Sequence, residues 1–162
     1  MVPHFPLRPR SEHIFCLNAE FMNDPAQNTE DAIATDVIAR LTFKDDAGNT
    51  LFEMLGRWGD TLQPPNLTGQ TVAEIRAVDF PIWQIRELNI AFKYTQERFA
   101  YGFNNESYGY IDWKNPHREL RDVNYTVVIE LGAARVDQKW VLQFRNLGVG
   151  LAFEAVSHSE QP

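Results

Sequence analysis

Apolar and polar side chains alternate along residues 36–58, and this alternation is the strongest structural signal in the chain. One side of the extended backbone carries apolar residues, namely Val37, Ala39, Leu41 and Phe43. The opposite side carries Arg40, Thr42 and Lys44, because successive side chains of a strand point to opposite faces. A polar turn at residues 45–49 joins this run to a second alternating run. The pattern predicts a β-hairpin with one buried face.

The same alternation recurs along the chain and predicts further strands at residues 13–21, 87–94, 98–103, 124–131, 138–145 and 150–156. In the segment 87–94 we expect one face to carry Leu88, Ile90, Phe92 and Tyr94. Polar residues at 59–70 and 112–122 predict long loops. Seven to nine short strands without a long helix indicate an all-β protein, an antiparallel β-sandwich.

Two segments fit either a helix or a strand, residues 26–39 and residues 71–79. In the first, Ile33, Val37 and Leu41 recur at helical spacing, while a period of two continues into the hairpin turn. We therefore assign residues 35–44 to a strand.

The length of 162 residues predicts one domain that buries a core without help from disulfides or metals. Three prolines within residues 1–10 predict an extended arm, because each proline fixes its own backbone and restricts its neighbour. We expect the β-sandwich domain to span residues 11–157, and residues 158–162 to form a polar tail.

The net charge of −7 and a pI near 5.0 make the protein repel phosphate groups, so we expect no nucleic-acid partner and no membrane partner. Cys16 is the only cysteine, which excludes an intramolecular disulfide and favours a reducing compartment. The chain begins without an apolar run of signal-peptide length, and no stretch approaches a membrane span. We expect a cytoplasmic protein.

Motifs for catalysis and cofactors are weak in this sequence. Ser107 lacks the first glycine of a nucleophile elbow. The histidines occur singly, without the spacing that places two ligands on one metal: His4, His13, His117 and His158. No glycine-rich nucleotide loop is present. We therefore expect no cofactor, no metal and no catalytic residue, with paired carboxylates left open as the one enzymatic possibility.

A likeness to a known class of domain rests on four features: Asn23, the run at residues 34–43, the turn at 45–49 and Trp58. Together they resemble prokaryotic Ig-like β-sandwich modules, the kind found in adhesion and accessory domains. The resemblance implies an Ig-like fold and, by analogy, a binding role.

Two loops combine aromatic side chains with carboxylates and supply the candidate ligand-binding residues. These are Trp58, Asp60, Glu106, Tyr108, Tyr110, Asp112 and Trp113. Aromatic rings stack on sugars as well as on each other, and a pair of carboxylates can hydrolyse a glycosidic bond. Trp113, between Asp112 and Lys114 in a polar loop, is the best candidate for an exposed aromatic, and we expect Trp58, Trp83 and Trp140 to pack in the core or at an edge.

Two functions follow as hypotheses. The first is a non-enzymatic interaction or accessory module that binds a protein partner or forms a homodimer through a sheet face, an edge strand or the aromatic loops. The alternative is a carbohydrate-binding module or a carbohydrate-active enzyme. A groove lined by Tyr108, Tyr110 and Trp113 with two carboxylates would favour the alternative, and burial of these rings would count against it.

Overall fold

Two antiparallel sheets pack face to face in the computed structural model, which describes residues 2–4, 9–11, 13–24, 33–61, 77–133 and 136–162. The predicted all-β sandwich is confirmed. The strands are β1 Val2–His4, β2 Pro9–Ser11, β3 Ile14–Met22, β4 Ile33–Lys44, β5 Thr50–Leu55, β6 Arg57–Trp58, β7 Ala77–Pro81, β8 Ile85–Tyr94, β9 Ala100–Gly102, β10 Glu119–Leu120, β11 Asn124–Ala133, β12 Val136–Asn146 and β13 Phe153–Gln161. Three short 3-10 turns are Asn105–Gly109, Ile111–Trp113 and Pro116–Arg118.

The predicted hairpin forms the centre of one sheet, here called the hairpin sheet, with strand order β13-β12-β11-β4-β5 and β7 also paired with β4. The four apolar residues of the alternating run, from Val37 to Phe43, are fully buried. In the turn, Asp45 accepts hydrogen bonds from the side-chain and backbone nitrogens of Asn49 at 3.0 and 2.8 Å. These bonds lower the pKa of Asp45. Asp45 and Asn49 are therefore used in hydrogen bonds that stabilise the hairpin turn.

The other sheet, here called the β8 sheet, has strand order β1-β3-β8-β9-β10. β2 pairs with β3, and β6 pairs with β8. Strands β3, β8 and β9 occupy the predicted segments 13–21, 87–94 and 98–103. Both β1 and β2 come from the proline-rich start of the chain and pair with β3, so this sheet extends beyond the strands that alternation predicts.

The chain crosses from the hairpin sheet to the β8 sheet at Gly56, between β5 and β6. A Cβ atom at this position would lie 2.7 Å from Leu88 Cδ1 and 3.0 Å from the Cβ of Ala39, closer than packed side chains allow. Any larger residue here would force the Leu88 side chain to move, so glycine fits the close approach of the two sheets at this point. The crossing places Trp58 between the sheets, where it is fully buried.

One prediction about β8 is wrong, namely that Leu88, Ile90, Phe92 and Tyr94 share a face. Asn18 pairs with Asn89 and Leu17 with Ala91, which leaves Ile90 as an extra residue in a β-bulge. The bulge reverses the alternation. Leu88, Ile90 and Ala91 belong to the core between the sheets, whereas Phe92 and Tyr94 pack on the outer face of the β8 sheet.

The described residues form thirteen strands, more than the predicted seven to nine, and four of these (β1, β2, β6 and β10) are pairings of two or three residues that were not predicted as separate strands. β13 continues to Gln161, so most of the expected polar tail pairs with β12. Residues 33–44 and 77–81 are strands. The rest of the ambiguous segments, and most of the expected loop at 59–70, lie outside the described residues.

The expected loop at 112–122 contains two 3-10 turns and β10. Within the described part of the chain, no helix has the length and apolar character needed to cross a membrane.

Leu41→Asp should unfold the domain or lower its free energy of unfolding by about 3 kcal/mol or more, because it places an unpaired carboxylate between the sheets. Thermal and denaturant melts would measure the loss. Ile38→Asp, on the half-exposed side of the same strand, is the matched control and should change stability far less. An unchanged melt for Leu41→Asp would contradict the assigned faces of β4.

Candidate interaction site

Trp58, the first of the candidate ligand-binding residues, lies in the core. Its indole nitrogen donates a hydrogen bond to the carbonyl of Val37 at 3.2 Å. Its ring makes edge contacts with Phe21 and Phe80, with centroids 6.3 and 5.0 Å apart. The side chain has no exposed surface, so its role is to hold the two sheets together.

Tyr108 and Trp113 do come together, in a group of rings on the outer face of the β8 sheet that we call the aromatic cluster. Their centroids are 5.8 Å apart, and Trp113 lies 5.9 Å from Phe92 and 5.4 Å from Phe103. Phe92, turned outward by the bulge, is the base of this cluster. The buried guanidinium of Arg57 lies 5.2 Å from the centre of the Tyr108 ring.

Local hydrogen bonds fold residues 104–118 over the sheet. The Asn104 side chain accepts from the nitrogen of Glu106, while Ser107 Oγ accepts from the nitrogen of Asn104, a reciprocal cap. Asp112 and Trp113 both adopt positive φ, +53° and +61°. These uncommon backbone angles cost free energy, which packing of the Trp113 ring in the cluster offsets.

Two of the three candidate carboxylates pair with arginines. Asp60 pairs with Arg86, and Glu106 lies 3.1 Å from an Arg118 nitrogen. Both Asp112 and Tyr110 are exposed. With Tyr108 and Trp113 packed against other rings, the geometry favours a structural cover for the sheet over a sugar-stacking groove.

A different region exposes apolar side chains: residues 147–152, which connect β12 to β13 and are here called the end loop. Leu147, Val149 and Leu151 are 42 to 56% exposed, and Val123 beside them is 52% exposed. Gly148 and Gly150 alternate with them at φ of +108° and +74°, a conformation that glycine adopts without strain. The backbone therefore turns so that three large apolar side chains point away from the core.

Lys93 supports the end loop from inside the sandwich. It is fully buried, and its ammonium group donates to Asn146 Oδ1 and to the carbonyl of Gly148, both at 2.7 Å. The rings of Phe15 and Phe153 lie 5.9 and 5.5 Å from its nitrogen. Burial lowers the pKa of Lys93, because desolvation penalises the charged form.

Further hydrogen bonds attach the loop and its base to the connections that follow β8 and precede β11. The nitrogen of Gly150 donates to the carbonyl of Thr95, the residue after β8. Asn146 donates from its backbone to Val123 and from its side chain to the carbonyl of Arg98, each at 2.8 Å. The end loop is therefore a fixed projection of the sandwich.

The alternation predicts a strand from residue 150, whereas β13 begins at Phe153, and the exposure of residues 147–152 was not foreseen. A signal is present in the order Leu147, Gly148, Val149, Gly150, Leu151, since turns are normally polar. Large apolar residues at turn positions indicate either a buried turn or a binding surface. Sequence alone does not separate the two.

Trp83 is also exposed, although we expected it to pack in the core or at an edge. It is 61% exposed and has a φ of +62°. Its backbone nitrogen donates to the carbonyl of Asn23 at 3.0 Å, and the Asn23 side chain donates to the carbonyl of Phe80. The buried Asn23 thus holds an exposed tryptophan in an uncommon conformation.

A polar depression of about 210 Å³ lies on the outer face of the hairpin sheet, smaller than typical ligand pockets. Gln143 in its wall accepts a hydrogen bond from Ser157 at 2.9 Å, and Arg145 lies 3.3 Å from Glu154. Two of its polar side chains, Gln143 and Arg145, are therefore already paired with neighbouring residues of β13. Among the described residues, no three histidine, cysteine, aspartate or glutamate side chains are grouped to hold a metal ion.

Comparison of the chain with protein-family models, with curated proteins and with solved structures found no match. The assignment to the all-β class comes from the strands and their register. Of the surfaces described above, the end loop combines the largest group of exposed apolar side chains with a rigid support.

Lys93→Met should change how stability depends on pH. In the unfolded chain the Lys93 ammonium titrates at its ordinary pKa of 10.5. Its pKa in the folded protein is lower, so the folded protein loses this proton at a lower pH. Between the two pKa values the unfolded state binds more protons, so the free energy of unfolding rises with pH.

Denaturant unfolding of wild type and Lys93→Met from pH 7 to pH 10 would test this. As pH rises, the free energy of unfolding of wild type should increase relative to that of Lys93→Met. Both proteins contain the same tyrosines, so tyrosine titrations cancel in the comparison. A difference that moves the other way would mean that the fold stabilises the charged lysine.

Proposed function

We propose that the chain is a non-enzymatic interaction module with an Ig-like β-sandwich fold, and that it binds a protein partner or its own copy through the end loop. The observation that carries the proposal is the outward display of Leu147, Val149 and Leu151 on a backbone fixed from beneath by Lys93. Exposed apolar groups gain free energy when another surface covers them.

The support for the loop also favours this role. Burying a lysine without a carboxylate partner is unfavourable, and an apolar residue there would be the more stable choice for a core. Lys93 instead donates to the loop carbonyl of Gly148. A rigid loop loses little conformational entropy on binding, so pre-organisation of this kind improves affinity.

The edge strands of the hairpin sheet are less suited to binding. At one edge, β13 contains a bulge at Val156, between the pairs Gln143–Ser157 and Phe144–Ala155. Bulges oppose strand addition. At the other edge, Arg118 and the Asn104 side chain donate to carbonyls of β5. These features leave the end loop as the favoured surface.

Photo-crosslinking would test the proposal. Full-length protein carrying a benzophenone amino acid at position 149 should form one discrete adduct in its native extract, either with another protein or with a second copy. Leu147→Ser combined with Leu151→Ser should abolish that adduct, because the two leucines complete the apolar surface.

The matched control places the same group at Val156, which is 46% exposed on the edge strand β13. It should give no adduct of the same mass. Equal adducts at both positions, adducts at Val156 alone, or none at position 149 would contradict the proposal.

A further inference from the structure

A second apolar patch lies near Trp83. Ile33, Trp83 and Ile85 are each more than half exposed, and Ile33 pairs with Pro81, two residues before Trp83. We call this region the Trp83 end. Tryptophan is among the residues most enriched at the energetic centres of protein interfaces.

The Trp83 end and the end loop lie at opposite ends of the sandwich. β8 begins with Ile85 at the Trp83 end and finishes with Tyr94, and the next residue, Thr95, accepts the hydrogen bond from Gly150 of the end loop. Ten residues of extended strand span about 30 Å. Each copy therefore presents two separate apolar patches that face away from each other.

Charges differ between the two ends. Three carboxylates lie close to the Trp83 end along the chain or through their partners. The nitrogen of Asp36 donates to Asp79, four residues before Trp83, and Arg86, three residues after Trp83, pairs with Asp60. Close to the end loop, the guanidinium groups of two arginines lie over one ring: Arg98 and Arg121 are 5.9 and 5.5 Å from the centre of Phe99.

The neighbouring carboxylates at the loop end are Asp122 and Glu119, and Glu119 already pairs with Arg121. Among the described residues, carboxylates therefore outnumber arginines at the Trp83 end, whereas the end loop is flanked by exposed arginines as well as acids.

We infer that the end loop binds the Trp83 end of a second copy of this chain, so that copies associate head to tail. This inference rests on the proposed interaction role of the end loop. Pairing two Trp83 ends would oppose carboxylates with carboxylates, while pairing unlike ends places Arg98 and Arg121 opposite them. Contacts between unlike patches leave one patch open on each copy, so assembly continues beyond the dimer unless a ring closes.

Two variants that each block one end test the inference. Trp83→Asn removes the ring and retains a residue that tolerates positive φ, and Val149→Asn removes the most exposed apolar group of the end loop. Both sites are exposed, so circular dichroism melts should match wild type. Val156→Asn is the matched control and should assemble like wild type.

Sedimentation velocity of the purified full chain, from micromolar to millimolar concentration, gives the readout. Wild type should form species larger than a dimer, and high salt should weaken them. Each blocked variant alone should remain monomeric. An equal mixture of the two should form a dimer and stop there, because only one intact pair of unlike ends remains.

Three results would overturn the inference: a wild type that stays monomeric throughout, a wild type that stops at a dimer, or a mixture that stays monomeric while wild type assembles. The first result, combined with a loop-dependent adduct to another protein from position 149, would leave the proposed function standing. A wild type that stays monomeric and forms no adduct from position 149 would contradict both the head-to-tail inference and the proposed function.

Discussion

A single extra residue in β8 determines which side chains lie between the sheets and which lie outside. Before the bulge at Ile90, Leu88 points inward; after it, Ala91 and Lys93 point inward. Strict alternation would have placed Lys93 on the outer face and Phe92 in the core. The aromatic cluster depends on an outward Phe92, and the end loop depends on an inward Lys93. Both features therefore follow from one irregularity in the pairing of β3 with β8.

The chemistry beneath the end loop also explains why its apolar residues remain exposed. A loop carrying Leu147, Val149 and Leu151 could gain free energy by folding these side chains into the opening between the sheets. That space is occupied by the ammonium group of Lys93 and the amide of Asn146, which are hydrogen-bonded to each other. Apolar side chains entering there would break these bonds and leave polar groups buried without partners. The lysine thus keeps the apolar side chains of the loop exposed.

The sequence was sufficient to predict the hairpin and the long strands, because a buried face imposes a period of two that side chains such as Leu41 and Phe43 reveal. It was insufficient where the structure departs from local rules. A bulge leaves no mark in the composition of residues 87–94, so the outward turn of Phe92 could not be foreseen. For Tyr108 and Trp113, sequence identified two neighbouring aromatics but not the sheet face beneath them. The exposure of Trp83 depends on a contact with Asn23, sixty positions earlier, which no local pattern contains.

The crossing at Gly56 has a consequence for the order in which the chain is synthesised. The β4–β5 hairpin can close as soon as it is made, since its strands adjoin in sequence. β3 can pair early only with the three-residue strands β1 and β2, because its long partner β8 comes much later: Asn18 meets Asn89 71 positions further on, after the hairpin and the crossing. Until the ribosome has released β8, the apolar face of β3 lacks its central partner strand. That interval is when a nascent chain of this topology is most exposed to aggregation and most dependent on chaperones.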